Sequence, residues 1–355
     1  MSRLALFVSY TGGSWGSERL LADFAAGLEP PVAVACPPGP LAERLAEIGI
    51  EHVPVAQRTV DMRRSLRDRA LTPARVLALG REVRAVVRAR RPAVVVAWNS
   101  RGLLATRAAR LDSRVVFHQN EFVPGPLIGA AVRAAARHTD LTIALSDAIA
   151  GDLGLPAEVV RGGVDPAEYQ HGWPRPGPPT ALYLGALVPW KRPDLALEAV
   201  ALAAAELPEL RLTVAGSAIG DVGELSARLR ERAAQRDLAG RVHFAGRIDD
   251  PRRLLTASHC LLHCADREPY GMALVEALAS GLPVAAPAIG GPTEILDATC
   301  GRLYVPGDPT AAAAALVDVI RNAESLGRAA RDKAGRDHLL ARAQARYREL
   351  LDPLR

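Results

Sequence analysis

Short runs of continuously apolar, often β-branched residues alternate along this chain with stretches of helical periodicity, and the alternation occurs twice. In the first half the apolar runs are 4–9, 32–36, 94–98, 115–118 and 141–145. Helical patterns fall at 17–28, 41–48, 74–90 and 128–137. Runs that are apolar throughout, rather than at every second residue, suit strands buried on both faces of a sheet. Strand and helix in alternation predict parallel βαβ units.

The pattern stops at residues 171–179, HGWPRPGPP, where four prolines and two glycines fall together. Proline lacks an amide donor, so this segment cannot continue a helix or a ladder, and it reads as a stiff interdomain linker. Beyond it strands are expected again at 181–185, 212–216, 242–246, 260–264 and 284–286, with helices at 192–206, 224–235, 271–279 and 310–322. A length of 355 residues fits two domains at roughly 100–200 residues each. The expected division is an N-terminal Rossmann-like domain over 1–170, the linker, a second such domain over 180–340, and a C-terminal helix over 341–355 that can pack back on the first domain.

Composition excludes several classes. With 49% hydrophobic and 23% charged residues the chain is not disordered. Four scattered cysteines make no disulfide framework and fit a reducing cytoplasm. The first apolar run is too short for a signal peptide, and no stretch is long enough to span a bilayer. The net charge of +5 permits an anionic ligand, but 4% aromatics without basic–aromatic interleaving argue against nucleic acid. Of 44 cationic residues only Lys191 and Lys333 are lysines, so each is an unexpected choice.

Open parallel sheets place ligands at the carboxyl ends of their strands. Four loops there carry chemistry. Thr11-Gly12-Gly13-Ser14-Trp15-Gly16-Ser17 follows the first strand, and both a tight strand-to-helix turn and an anion cradle remain open for it. It is neither a Walker A loop nor a good G-x-G-x-x-G. His118-Gln119-Asn120-Glu121 follows another strand. Lys191 closes a loop that begins at Gly185. The richest stretch is Arg267-Glu268-Pro269-Tyr270-Gly271-Met272-Ala273-Leu274-Val275-Glu276, with two glutamates eight positions apart. A helix starting at Gly271 offers unpaired amides to phosphate oxygens. Glu276 then lies about 7–8 Å further along the axis, a reach that suits a ribose diol. The plainer alternative is a capping Glu268 and a solvent-facing Glu276.

This stretch resembles the E-x7-E signature of family 4 glycosyltransferases, enzymes of the GT-B fold with two Rossmann-like domains facing across a cleft. Other segments are similar in the right order: Leu184 to Arg192, the glycine-to-lysine loop; Leu212 to Ser217; Val242 to Arg247; and Pro287-Ala288-Ile289-Gly290-Gly291-Pro292-Thr293-Glu294. Gly163-Val164-Asp165 matches the family's turn before the linker. The likeness covers most of 180–310; the N-terminal half is similar in architecture and in its glycine loop.

The resemblance implies roles residue by residue. Lys191 would neutralise a donor diphosphate, Glu268 would hydrogen-bond the transferred sugar, and Glu276 would hold the ribose. Backbone around Leu274 and Val275, with Gly216, would line the nucleotide, and Gly12, Gly13, Gly185, Arg247, Tyr270 and Gly271 complete the donor-binding set. His118 would approach the donor sugar or the acceptor. The implied reaction is retaining transfer of a hexose-type sugar from a UDP-, GDP-, dTDP- or ADP-sugar, without metal or further cofactor; no Asp-x-Asp occurs. The acceptor class spans lipid-linked or polysaccharide intermediates and small natural products. Two positions depart from the pattern. Ala186 stands where the family has arginine, so Arg192 or Arg267 is expected to compensate, and Gly162 stands where it has asparagine. Ala186 also motivates the rival reading, a catalytically weak or inactive nucleotide-sugar-binding protein.

Two further signals read as structural. His259, Cys260, His263 and Cys264 have metal-like spacing but fall on a buried strand whose alternate residues face opposite sides. Arg81, Arg84 and Arg88 recur at helical spacing, either as a solvated face or as a peripheral contact with anionic lipid at the inner membrane face.

Overall fold

A computed structural model describes residues 3–13, 16–58, 66–218 and 223–355, with the side chains of 66–71 left aside. The chain divides into two compact units: residues 1–162 with 340–355, and residues 163–339.

The first unit is a seven-stranded, wholly parallel sheet. Its strands are β1 (Ala5–Val8), β2 (Val32–Cys36), β3 (Glu51–Pro54), β4 (Val94–Trp98), β5 (Arg114–Gln119), β6 (Leu141–Ala144) and β7 (Glu158–Val159). They lie in the order β3-β2-β1-β4-β5-β6-β7. Every residue of β1 and β4 is buried, as continuous apolar runs require. The chain order reverses between β1 and β4, so the switch point lies at their carboxyl ends.

The second unit repeats the plan with six parallel strands: β8 (Thr180–Leu184), β9 (Arg211–Ala215), β10 (Val242–Gly246), β11 (Cys260–Leu262), β12 (Val284–Pro287) and β13 (Gly301–Tyr304). Their order is β10-β9-β8-β11-β12-β13, with the switch point between β8 and β11. The fold class expected from the sequence, two doubly wound Rossmann-like domains, is therefore the one observed.

Several local expectations change. Strands β3, β7 and β13 lack a continuous apolar run because each is a sheet edge with one solvated side. The helix Asn99–Ala109 follows β4 without an intervening loop. Asn99 makes that turn at φ 60°, a left-handed conformation asparagine tolerates, and its Oδ1 accepts from the amides of Arg101 and Gly102 at 3.0 and 3.2 Å. The strand expected over 260–264 ends at Leu262, so the alternation argument does not extend to His263 and Cys264. The C-terminal helix expected over 341–355 is Leu340–Leu351, and a further helix, Ala323–Asp337, precedes it, the two separated at His338 and Leu339. The break is used: the His338 carbonyl accepts from Val164, where one crossing segment of the chain pairs with the other.

The Pro-rich segment packs on the second unit. Buried Arg175 donates to the Ser280 carbonyl at 2.6 Å and to those of Leu255 and Ser258, and its guanidinium lies over the Trp173 ring at 4.7 Å. On the first unit, the arginine cluster is divided. Arg84 donates to the Ala109 carbonyl at 2.5 Å, whereas Arg81 and Arg88 are exposed. Among the described residues no helix is long and apolar enough to cross a membrane.

Helix Leu340–Leu351 closes the first unit by seating Tyr347 on Phe24, with ring centroids 4.5 Å apart. His118, from β5, is fully enclosed beside it: its ring lies 4.1 Å from Trp98, and Nδ1 lies 3.3 Å from the Tyr347 hydroxyl. Burial pushes this imidazole from 6.5 down to about 3. Between those values the unfolded chain binds a proton that the folded chain refuses, so this group destabilises the fold progressively as pH falls below 6.5. Thermal melts of His118→Phe should lose less stability than the wild type between pH 6.5 and 4; parallel curves would refute the buried neutral state. Tyr347→Ala should cost about 3–5 kcal/mol in denaturant unfolding, the usual penalty for emptying an aromatic site.

Candidate functional site

The two strands that flank the second unit's switch point, β8 and β11, deliver the site. After β8 the chain turns at Gly185 and runs through a 3-10 turn, Pro189–Lys191. The buried Tyr183 hydroxyl braces this loop from beneath, 3.1 Å from the Ala186 carbonyl and 3.3 Å from that of Lys191. After β11 comes His263 to Gly271. The two loops are stitched by the Asp266 amide, which donates to the Trp190 carbonyl at 2.9 Å.

They bring Lys191 and Glu268 together. The Lys191 ammonium, 4.5 Å above the Trp190 ring, hydrogen-bonds Oε2 of the buried Glu268. His263 Nε2 lies 3.2 Å from the same oxygen. Among the described residues no donor holds the other oxygen, Oε1. Burial opposes the charge on Glu268, but the Lys191 ammonium outweighs it and holds the carboxyl well below its ordinary range. Burial keeps His263 neutral against the pull of that carboxylate. His263 is the member that sequence reasoning missed; its signal was a histidine directly at the end of a strand, five residues before Glu268.

Glycine contacts fix the Glu268 backbone. The Gly291 amide donates to the Glu268 carbonyl at 2.9 Å, and a Cβ on Gly291 would fall 1.9 Å from the Tyr270 carbonyl oxygen. Gly216 at φ 150° meets the Gly185 carbonyl so closely that a Cβ would lie 1.8 Å from it. Each of the two site loops thus meets a neighbouring glycine turn through bare backbone.

Behind Glu268, helix Met272–Ala279 starts at Gly271, φ 113°. The Leu274 and Val275 amides are taken by the Gly271 carbonyl at 2.9 and 3.3 Å. Among the described residues, Gly271, Met272 and Ala273 are therefore the amides left unpaired at this helix end. Glu276 is buried further along the same helix. The helix's other end is gripped by donors: Trp173 Nε1 bonds the Gly281 carbonyl at 3.0 Å, Arg175 that of Ser280 and Arg331 that of Ala279. Cations at the C-terminal end and an open N-terminal end both favour an anion at Gly271.

The remaining predicted residues are placed differently. The Tyr270 side chain is buried with its hydroxyl 3.1 Å from His338 Nδ1, so only its backbone can meet a ligand. Arg192 is occupied by Asp194 at 2.9 Å and Asp266 at 3.2 Å. Arg267 is exposed beside Glu268, and Arg247 is exposed and pairs with Asp249 at 3.1 Å. In the first unit, Gly12 packs so near the Pro37 carbonyl that a Cβ would lie 2.3 Å away, and the Gly13 amide bonds Thr11 Oγ1 at 3.1 Å. Ser14 and Trp15 lie outside the described residues. His118 presents no exposed atom to a ligand. Among the described residues no group of three or more His, Cys, Asp or Glu side chains is placed to hold a metal ion.

Two doubly wound Rossmann-like units in one chain are the plan of the GT-B fold, and solved structures agree with that fold. HepE of Anabaena, solved with UDP-glucose, superposes with a TM-score of 0.85 at 19% identity, over 99% of this chain and 100% of that one. Sucrose-phosphate synthase of Thermosynechococcus elongatus superposes with a TM-score of 0.80 at 15% identity, over 99% of each chain. Residues 168–336 match the family model of glycosyl transferases group 1. The chain is 33% identical to a phosphatidyl-myo-inositol mannosyltransferase of Mycolicibacterium smegmatis over 48% of its own length and 44% of the relative's. It is 34% identical to a D-inositol 3-phosphate glycosyltransferase of Streptomyces coelicolor over 40% of its length and 32% of the relative's. The chain thus spans less than half the length of these curated relatives, and the family model falls on the unit that carries Lys191 and Glu268.

A depressed carboxyl contributes stability that is complete above its unfolded value and is lost as pH falls through the folded one. Glu268→Gln should therefore melt below the wild type at pH 7, and the gap should close as pH is taken below 4.5. A gap independent of pH would show that Glu268 is not held as a charged partner of Lys191.

Proposed function

We propose that this chain is a retaining glycosyltransferase that moves a hexose-type sugar from a nucleoside diphosphate sugar to a hydroxyl acceptor. The observation that carries the reading is the Lys191–Glu268 pair at the switch point of a unit that matches the glycosyl transferases group 1 model. The donor diphosphate sits at the N-terminal end of helix Met272–Ala279, on the Met272 and Ala273 amides, and draws the Lys191 ammonium onto it. Glu268 offers Oε1 to the sugar hydroxyls, and Glu276 holds the ribose. Sugar–phosphate cleavage builds negative charge on the departing diphosphate, and a fixed cation with prearranged amides stabilises it without reorganisation. UDP-glucose, the ligand of HepE, is the first donor to test.

One observation favours a second reading, a protein that binds nucleotide sugars and transfers them poorly. Ala186 removes one cation from the family's diphosphate grip, and Arg192, a candidate replacement, is engaged by Asp194 and Asp266. Compensation then falls to Arg267.

A thermal-shift panel of UDP-, GDP-, dTDP- and ADP-glucose identifies the donor by linkage. With that donor, Lys191→Ala should lower kcat/KM by roughly 10²–10³. Arg267→Ala should lower it by less, and Arg192→Ala should act mainly on stability. Binding without hydrolysis or transfer would favour the second reading; no stabilisation by any donor would overturn both.

A further inference from the structure

His263 is a buried imidazole that neither the resting ion pair nor the packing explains. Its Nε2 lies 3.2 Å from Glu268 Oε2, yet the contact is too poorly aligned to count as a hydrogen bond, and among the described residues this buried nitrogen has no other partner. A buried donor without an aligned acceptor is costly, so its retention needs a state in which it is satisfied. The rest of the residue is firmly held: its amide donates to the Ala285 carbonyl at 2.9 Å, and its carbonyl accepts from the Tyr304 hydroxyl at 2.5 Å. The backbone is therefore fixed and the ring is enclosed by its surroundings, so the hand-over below turns on the Glu268 carboxylate. Facing a carboxylate oxygen, Nε2 must carry the proton, since two lone pairs would repel.

We propose that His263 is a positioning residue for Glu268, taking over Oε2 when the donor diphosphate draws Lys191 away. The inference rests on the donor-binding reading above and adds a hand-over to it. In the resting state Lys191 and His263 converge on one oxygen. Once the ammonium moves to the diphosphate, Glu268 is left as a buried carboxylate with no cation beside it. A small rotation then aligns Oε2 with the His263 N–H, and Oε1 stays directed at the sugar. His263 thus acts on the sugar half of the donor and not on the nucleotide half.

The test separates those halves with UDP and UDP-glucose as probes, using His263→Leu, His263→Asn and His263→Gln. Glutamine carries an N–H about where Nε2 sits, whereas asparagine is polar but too short, so this pair keeps the test open if the leucine variant folds poorly. UDP affinity should stay within about twofold of wild type throughout, while UDP-glucose affinity and turnover fall roughly tenfold in the Leu and Asn variants and recover in Gln. Equal losses for UDP and UDP-glucose, or no rescue by Gln, would reduce His263 to a packing residue. A wild type that binds both probes, with His263 variants indifferent, overturns this inference alone. A wild type that binds neither overturns the uridine-donor reading and the hand-over with it.

Discussion

The charge on the buried Glu268 is balanced, in the structure as it stands, by the Lys191 ammonium. The two come from loops 77 positions apart in sequence, on strands that are neighbours only because the sheet order reverses between β8 and β11. The ion pair is therefore a consequence of the doubly wound topology and also a constraint on it. Moving either loop strands a charge in a medium that cannot solvate it. Tyr183, beneath the Lys191 loop, and the Asp266 amide, between the loops, hold the approach that the charges demand.

Backbone contact does the rest. The Gly290–Gly291 turn lies directly against the Glu268 to Tyr270 backbone, and Gly216 against Gly185, at separations where a single methyl group would collide with a carbonyl oxygen. Loops packed main chain to main chain lose the slack that side chains would leave between them. That rigidity matters for a site whose proposed chemistry consists of holding fixed dipoles and a charge around a departing diphosphate.

Much of this was legible from the residues. Strands buried on both faces announced themselves by unbroken apolar runs, as at β1 and β4. The strands that escaped notice, β3, β7 and β13, all lie at sheet edges, where one solvated side removes the signal. The helix after β4 escaped because no loop punctuates its start. At the site, spacing and family likeness pointed to Lys191, Glu268 and Glu276, and the structure joins the first two by a contact. The same reasoning could not see depth. It placed His118 toward a ligand because it ends a strand, yet an aromatic cage and the returning C-terminal helix enclose it, and that helix is remote in sequence. It dismissed His263 with a strand-alternation argument that fails one residue past the strand's end.

The uneven use of cations follows from what each side chain can do. Arginine's planar fork suits fixed sets of acceptors, and here it is spent that way: Arg175 on three carbonyls, Arg192 on two aspartates, Arg232 on Glu198 and Asp237. Such a guanidinium cannot leave its partners without stranding several bonds at once. Lysine's ammonium is a single point of charge on a flexible stem, and it can exchange one partner for another at little geometric cost. In a chain whose only other lysine is Lys333, a lysine between Trp190 and Glu268 suits the exchange of partners proposed above. Ala186 adds no charge to the Lys191 loop, so in the proposed reading the mobile ammonium and Arg267, not the committed guanidiniums, hold the diphosphate.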